Sequence, residues 1–262
     1  MEIIVCVKQV PDTTEVKIDP ITNTLIRQGV PSIVNPFDRN AVEAALQLKD
    51  KHGGKVTVIT MGPPQAKDAL KACLAMGADA ALLISDRAFG GADTLATSYT
   101  LAAAIRKLGK YDVIFCGKQA IDGDTAQVGP ETAEHLDIAQ VTYVAKMEID
   151  GDTARVEREH EEGYEIIDVK LPVMISVIKS ATYEPRLASI KATMKANRTE
   201  IPTWTAADVN ADEKKIGLQG SPTKVSKIFS PPRRTQGIVI QGDTARESVM
   251  ELIQKLSDAK IV

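Results

Sequence analysis

Short apolar runs rich in β-branched residues alternate with segments of helical spacing along the first half of the chain, and this alternation limits the fold more than any other feature. Glu2–Lys8 (EIIVCVK), Lys55–Met61 (KVTVITM), Ala80–Ser85 and Tyr111–Cys116 read as buried strands. Four segments between and after them read as helices: Ala41–Lys49 behind a capping Asp38, the stretch from Gly62-Pro63-Pro64 to Met76, the Ala-rich run Ala92–Leu108, and Gly129–Leu136. Strands this apolar need cover on both faces, and about four strand–helix units in succession build a parallel sheet with helices on either side. The expected fold class is α/β, a doubly wound, mostly parallel sheet.

After Gln140 the pattern changes. Val141–Ile149, Ala154–Glu159, Tyr164–Lys170 and Val173–Ile178 are all strand-like with tight turns between them, which reads as an antiparallel, meander-like extension of the sheet. From Lys179 the chain is polar and irregular until Asp243–Leu256, where Val249, Leu252, Ile253 and Leu256 recover helical spacing behind Asp243 or Thr244 as cap. Two parts are expected: an α/β domain over 1–190, carrying a basic loop near 179–196, and an extended arm ending in a helix over 191–262. A helix at the end of an arm needs cover for its apolar face, from a second subunit that the arm clasps or from its own domain.

With 262 residues, 44% hydrophobic and 26% charged, the chain has material for one substantial core. A formal net charge of −3 argues against nucleic acid as a partner. Met1-Glu2 leads directly into a strand-length run without a basic n-region, and no apolar run approaches the roughly 18 residues of a membrane span. The expectation is a soluble, cytoplasmic chain. The three cysteines, Cys6, Cys73 and Cys116, lie far apart in apolar contexts, and His52, His135 and His160 are scattered. Buried thiols are expected, with neither a metal site nor a catalytic side chain.

Open parallel sheets bind ligands beyond the carboxyl ends of their strands, so the loops Lys8–Asp12, Met61–Pro64, Ser85–Thr94 and Gly117–Gly129 are the candidates. The last is the most informative. It runs from a strand through Asp122-Gly123-Asp124-Thr125-Ala126-Gln127 into the helix start Val128-Gly129-Pro130-Glu131-Thr132-Ala133. Small residues at a helix start let backbone N–H groups approach a phosphate, and Thr125 and Gln127 add donors. Asp122 and Asp124 would repel a phosphate unless turned toward ribose hydroxyls, caps or a cation. The pentapeptide DGDTA is weak by itself, because it recurs at Asp150–Ala154, where Asp-Gly suits a hairpin. Phe89-Gly90-Gly91-Ala92-Asp93-Thr94 is a second glycine-bearing loop ahead of a helix, a ligand contact or a plain flexible cap. Neither GxGxxG nor a P-loop is present. Finally, Leu187, Ile190 and Met194 form an isolated apolar trio at helical spacing with a cationic rim, suited to docking a partner or to packing on their own domain.

In order and spacing, CVKQVPD (Cys6–Asp12), NPFD (Asn35, Pro36, Phe37, Asp38), TMGP (Thr60–Pro63), AMGAD (Ala75–Asp79), GKQAIDGDTAQVGP (Gly117–Pro130), VERE (Val156–Glu159), KLP (Lys170–Pro172) and EPRLASIKATMKA (Glu184–Ala196) resemble the beta subunit of electron-transfer flavoproteins. The resemblance covers nearly the whole chain. It implies an adenine-nucleotide-binding fold whose site uses Cys6, Asn35–Asp38, Met61 and Asp122–Ala133, and a recognition loop with Ile190 at the docking position. It also implies an alpha-subunit partner. Ordinary members hold AMP here. Electron-bifurcating members hold FAD and meet NADH, and DRAFGGADTLATS (Asp86–Ser98) looks like theirs, with Asp93, Thr94 and Thr97 beside the flavin ring in room left by the Gly-Gly step. The implied acceptors are ferredoxin or flavodoxin and, through alpha-subunit FAD, a flavin dehydrogenase of acyl-CoA type. Two alternatives stay open: a non-bifurcating carrier with AMP, and an adenine-nucleotide-binding signalling module on the same fold.

Overall fold

β1 (Glu2–Cys6) is buried from Ile3 to Cys6, as a strand must be when it lies inside a sheet covered on both faces. The structure, a computed structural model, describes residues 1–12, 31–226 and 237–262. After β1 come a small antiparallel ribbon of β2 (Gln9–Pro11) and β3 (Ser32–Val34), then α1 (Pro36–His52), β4 (Lys55–Met61), α2 (Lys67–Met76) and β5 (Ala80–Ile84). They are followed by α3 (Thr94–Leu108), β6 (Val113–Gly117), α4 (Val128–Leu136), β7 (Ala139–Asp150), β8 (Thr153–His160), β9 (Gly163–Lys170) and β10 (Val173–Val177). α5 (Ile190–Arg198), β11 (Thr203–Trp204) and α6 (Ala245–Asp258) complete the chain.

The main sheet has nine strands in the order β11-β5-β4-β1-β6-β10-β7-β8-β9. Its left part, from β11 through β7, is parallel, and β8 and β9 add antiparallel strands at one edge. Alternation along each strand builds two cores. Ile3, Val5, Val58, Phe115 and Ile175 face α1 and α2, while Ile4, Cys6, Ile59, Ile114 and Met174 face α3 and α4. The chain runs outward from β1 to β4 and β5, then returns to place β6 on the other side of β1. The topological switch point therefore lies between β1 and β6, where such sheets open a crevice at their carboxyl ends.

Four details differ from the sequence reading. The Val173 strand is not the fourth leg of a meander: β10 is inserted between β6 and β7, parallel to both. Its five residues are all buried, which suits an interior position and not an edge. Asp38 is not a cap, since α1 begins at Pro36 with Asn35 as N-cap and the Asp38 side chain is turned inward. Residues beyond Lys179 are less irregular than their composition suggests. Tyr183, Ala196, Ile201, Val209 and Ile216 are buried, and β11 extends the sheet beyond β5. Leu187 precedes α5 instead of sharing its helical face.

The second DGDTA does form the β7–β8 turn, with Gly151 at φ 59°. Compactness divides the chain into Met1–Ser226 and Lys227–Val262. In the second unit α6 starts with a capping box between Thr244 and Glu247, and its Val249, Met250, Leu252 and Ile253 are exposed. Among the described residues no helix is long and apolar enough to cross a membrane, and no cluster of His, Cys, Asp and Glu is placed to hold a metal ion.

Candidate functional site at the switch point

The Asn35–Asp38 turn lies beneath the crevice and ties its walls together. Asn35 is fully buried and Asp38 is 6% exposed. The Lys8 N–H, just past β1, donates to Asp38 Oδ2 at 2.7 Å, and the Gly117 N–H at the end of β6 donates to Oδ1 at 3.1 Å. Asn35 Nδ2 donates to the Gln119 carbonyl at 2.8 Å, and its Oδ1 accepts from the Ile121 N–H at 3.2 Å. Two side chains thus satisfy backbone groups of both loops. Burial pushes the Asp38 carboxyl up to about 7, against the pull of its hydrogen bonds from Asn35, Lys8 and Gly117. Gly117 has no room for a side chain, because a Cβ would stand 2.6 Å from the Phe37 carbonyl carbon.

Above this clamp the loop from Lys118 to Gln127 is exposed from Ile121 to Thr125 and half-buried before that, and the structure settles where its carboxylates point. Asp122 pairs with Lys8 Nζ at 2.6 Å across the switch point, and Asp124 accepts from the Gln119 side-chain amide. Asp124 and Ala126 both adopt φ 55°, so the loop turns sharply without a glycine at either place. α4 then starts at Val128 with no side-chain cap from Gln127. The first N–H groups of such a helix lack intrahelical partners, and its dipole favours an anion there. Gly129 brings the helix against the strand end, where a Cβ would meet Cys116 Sγ at 2.7 Å. Thr132 and Ala133 face the core, and the Thr132 hydroxyl donates to the Val128 carbonyl at 2.6 Å.

Cys6 and Cys116 lie side by side in register beneath the same helix start. Burial pushes the Cys6 thiol up to about 12, with Asp38 adding to the effect, and also holds the Cys116 thiol well above its usual range. Both are apolar packing groups at neutral pH, not nucleophiles. Met61 lies on the same side of the sheet, partly buried.

The second glycine loop leads into α3, whose first residue reaches α4. Thr94 Oγ1 lies 3.2 Å from Gln127 Oε1 and 3.1 Å from Glu131 Oε1. Asp93 is committed elsewhere: it accepts from the Ala96 N–H as N-cap and from the N–H and hydroxyl of Thr223 at 3.0 and 2.8 Å. Burial opposes its ionisation, but these hydrogen bonds outweigh it and hold the carboxyl below its usual range. Room beside Gly91 is taken by Leu218, whose Cγ would lie 2.6 Å from a Cβ there, so that glycine accommodates the chain's own leucine. Thr97 sits one turn into α3 and is half-buried.

The apolar trio is outside this crevice. Leu187 and Ile190 are 91% and 82% exposed, and Met194 is 52% exposed. Arg186 fixes their base: its guanidinium makes a two-pronged pair with buried Glu43 at 2.8 and 3.0 Å and reaches Asp50 at 2.9 Å. Sequence reasoning missed Glu43 and the Lys8–Asp122 pair. A charge on the buried face of α1 was a usable signal for the first; the second depends on bringing together residues far apart in sequence.

Comparison with known proteins gives a consistent outcome. Residues 22–209 match the family described as "Electron transfer flavoprotein domain". The chain is 57% identical over 258 residues to "Electron transfer flavoprotein subunit beta" of Clostridium acetobutylicum, covering 98% of each chain. It is 51% identical to "Caffeyl-CoA reductase-Etf complex subunit CarD" of Acetobacterium woodii, covering 100% of both. With "Protein FixA" of Azorhizobium caulinodans it shares 48% identity over 90% of this chain and 86% of that one.

Proposed function

From the premise that this chain belongs to the electron transfer flavoprotein family, as a beta subunit, we propose that it holds FAD at the switch point, takes electrons from NADH and bifurcates them. The observation that carries the nucleotide reading is the uncapped start of α4 beside a loop whose carboxylates are already directed to Lys8 and Gln119. An anion meets N–H groups there instead of bare carboxylates.

The residues present fit FAD. Backbone N–H groups at Val128 and Gly129 would hold its pyrophosphate, Lys8 would balance charge, and Thr94, Gln127 and Glu131 offer polar contacts on the α3 side. When bound, FAD supplies the redox chemistry, accepting a hydride from NADH and releasing its electrons singly to two acceptors. The protein binds, orients and excludes water. Asp38 and Asn35 keep the loop in shape, and Cys6, Cys116 and Met61 give the floor an apolar surface.

One acceptor is a ferredoxin or flavodoxin; the other, reached through FAD in the alpha subunit, is a flavin dehydrogenase of acyl-CoA type. That a close relative is named for a caffeyl-CoA reductase complex supports the latter class. We assign Leu187, Ile190 and Met194 to docking that enzyme, and the arm with α6 to clasping the alpha subunit. Cytoplasmic residence goes with these partners.

The test is coupling. The complex with its alpha subunit, its dehydrogenase and a ferredoxin should oxidise NADH only when both the ferredoxin and the acyl-CoA acceptor are present. NADH oxidation with one acceptor alone, or none with both, would count against bifurcation.

A further inference from the structure

The segment that carries the exposed docking side chains has little packing of its own to hold it. Residues 184–189 form neither helix nor strand, and Leu187 and Ile190 stay largely exposed. A polar stripe on α1 holds the segment instead. Asn40, Glu43, Gln47 and Asp50 are spaced three and four residues apart, so they stand on one face of the helix. Asn40 Nδ2 donates to the Tyr183 carbonyl at 2.7 Å, and Gln47 Nε2 donates to the Thr182 carbonyl at 2.9 Å. Glu43 accepts from the Arg186 backbone N–H at 3.2 Å as well as from its guanidinium, and Gln47 Nε2 braces the same carboxylate at 3.0 Å. Asp50 takes the outer edge of the guanidinium. One helix face thus grips Thr182, Tyr183 and Arg186, immediately ahead of Leu187.

We propose that this stripe is a positioning device for partner docking, with Glu43 and Arg186 at its centre, and that it presents Leu187 and Ile190 in one fixed place. The inference rests on the assignment of those side chains to docking. Glu43 is buried, and a buried ion pair is often no more stabilising than apolar side chains of the same volume, although it demands one geometry. A segment ordered in advance spares its partner the entropy of ordering it on contact, which raises affinity. The first turn of α1 also holds Asp38 against the Lys8 and Gly117 N–H groups. A single helix therefore sets both the crevice floor and the docking segment.

The complex with its alpha subunit is titrated with a flavin dehydrogenase of acyl-CoA type that accepts its electrons, and apparent KM and the rate at saturation are read separately. Glu43→Gln combined with Arg186→Gln removes the pair without stranding a buried charge. Its apparent KM should rise about tenfold, because the segment must then be ordered on binding, while saturated rate and flavin content hold. Asp50→Asn, at the exposed end of the stripe, leaves Glu43 paired and should raise KM about twofold. Adding Ile190→Ala to the Glu43/Arg186 variant should raise KM by less than the product of the separate effects, since both act through the same contact. A merely structural role gives independent effects. The proposal is overturned by an unchanged KM in both stripe variants, by a lower melting temperature without a change in KM, or by independent effects in the combined variant. If the paired variant fails to fold, Asp50→Asn decides. Where Ile190→Ala raises KM and the stripe variants do not, docking stands and positioning falls; where Ile190→Ala itself leaves KM unchanged, the docking assignment falls.

Discussion

The Asn35–Asp38 turn and the Thr94–Gln127–Glu131 group both border the crevice, yet they differ in how their hydrogen bonds are used. The first is buried, and the Asn35 amide and Asp38 carboxylate bond to backbone groups of the chain itself. The second lies at two helix starts, is short of donors and ends in an unpartnered oxygen. The resemblance to the family implies ligand contacts for both sets. The first set spends its hydrogen bonds on holding the two loops to α1, while the second joins two helix starts and leaves one oxygen unused.

Four substitutions test how the regions differ. Gly117→Ala should have the largest effect, because its Cβ meets the backbone of Phe37, which cannot move without shifting α1. A loss of ~3 kcal/mol in urea unfolding is expected. An unchanged midpoint would mean that the clamp is not tight.

Docking comes next. Ile190→Ala should weaken electron delivery to the dehydrogenase by roughly 1.5–3 kcal/mol in apparent affinity, with flavin content unchanged. Flavin loss in that variant would tie α5 to the cradle instead of a partner.

A third change concerns pH. Because burial raises the Asp38 carboxyl to about 7, the folded chain holds its proton to higher pH than the unfolded chain does. Stability from this group is fully present below the unfolded range near about 4 and is lost as pH rises toward about 7. Asp38→Asn should remove that downward slope, although its amide N–H faces a backbone N–H and lowers stability overall. Parallel pH profiles for wild type and variant would contradict the assignment.

The smallest effect on stability belongs to Lys8→Met, which breaks an exposed pair with Asp122 and should cost about 1 kcal/mol or less. Nucleotide affinity should fall more than stability does, since Asp122 is then left without its cation beside the phosphate. Equal losses would place Lys8 with the clamp.

The parallel core was legible because buried strands announce themselves locally: EIIVC, KVTVITM and AALLI need no partner to be recognised. Order in the sheet was less so. VMISV reads the same at an edge or in the interior, and only pairing with both β6 and β7 placed it. NPFD and GKQAIDGDTAQVGP fall on elements that meet at the switch point, but the motifs do not tell which side chains turn inward. Asp93 shows why: its carboxylate is occupied by Ala96 and by Thr223, a residue 130 positions away, which no local pattern reveals.

The most direct test of the central claim is nucleotide content. The complex with its alpha subunit would be denatured and the released FAD and AMP quantified by chromatography. Two FAD per heterodimer and no AMP is the predicted result; one FAD with one AMP would make this chain a simple electron carrier and contradict the bifurcating reading.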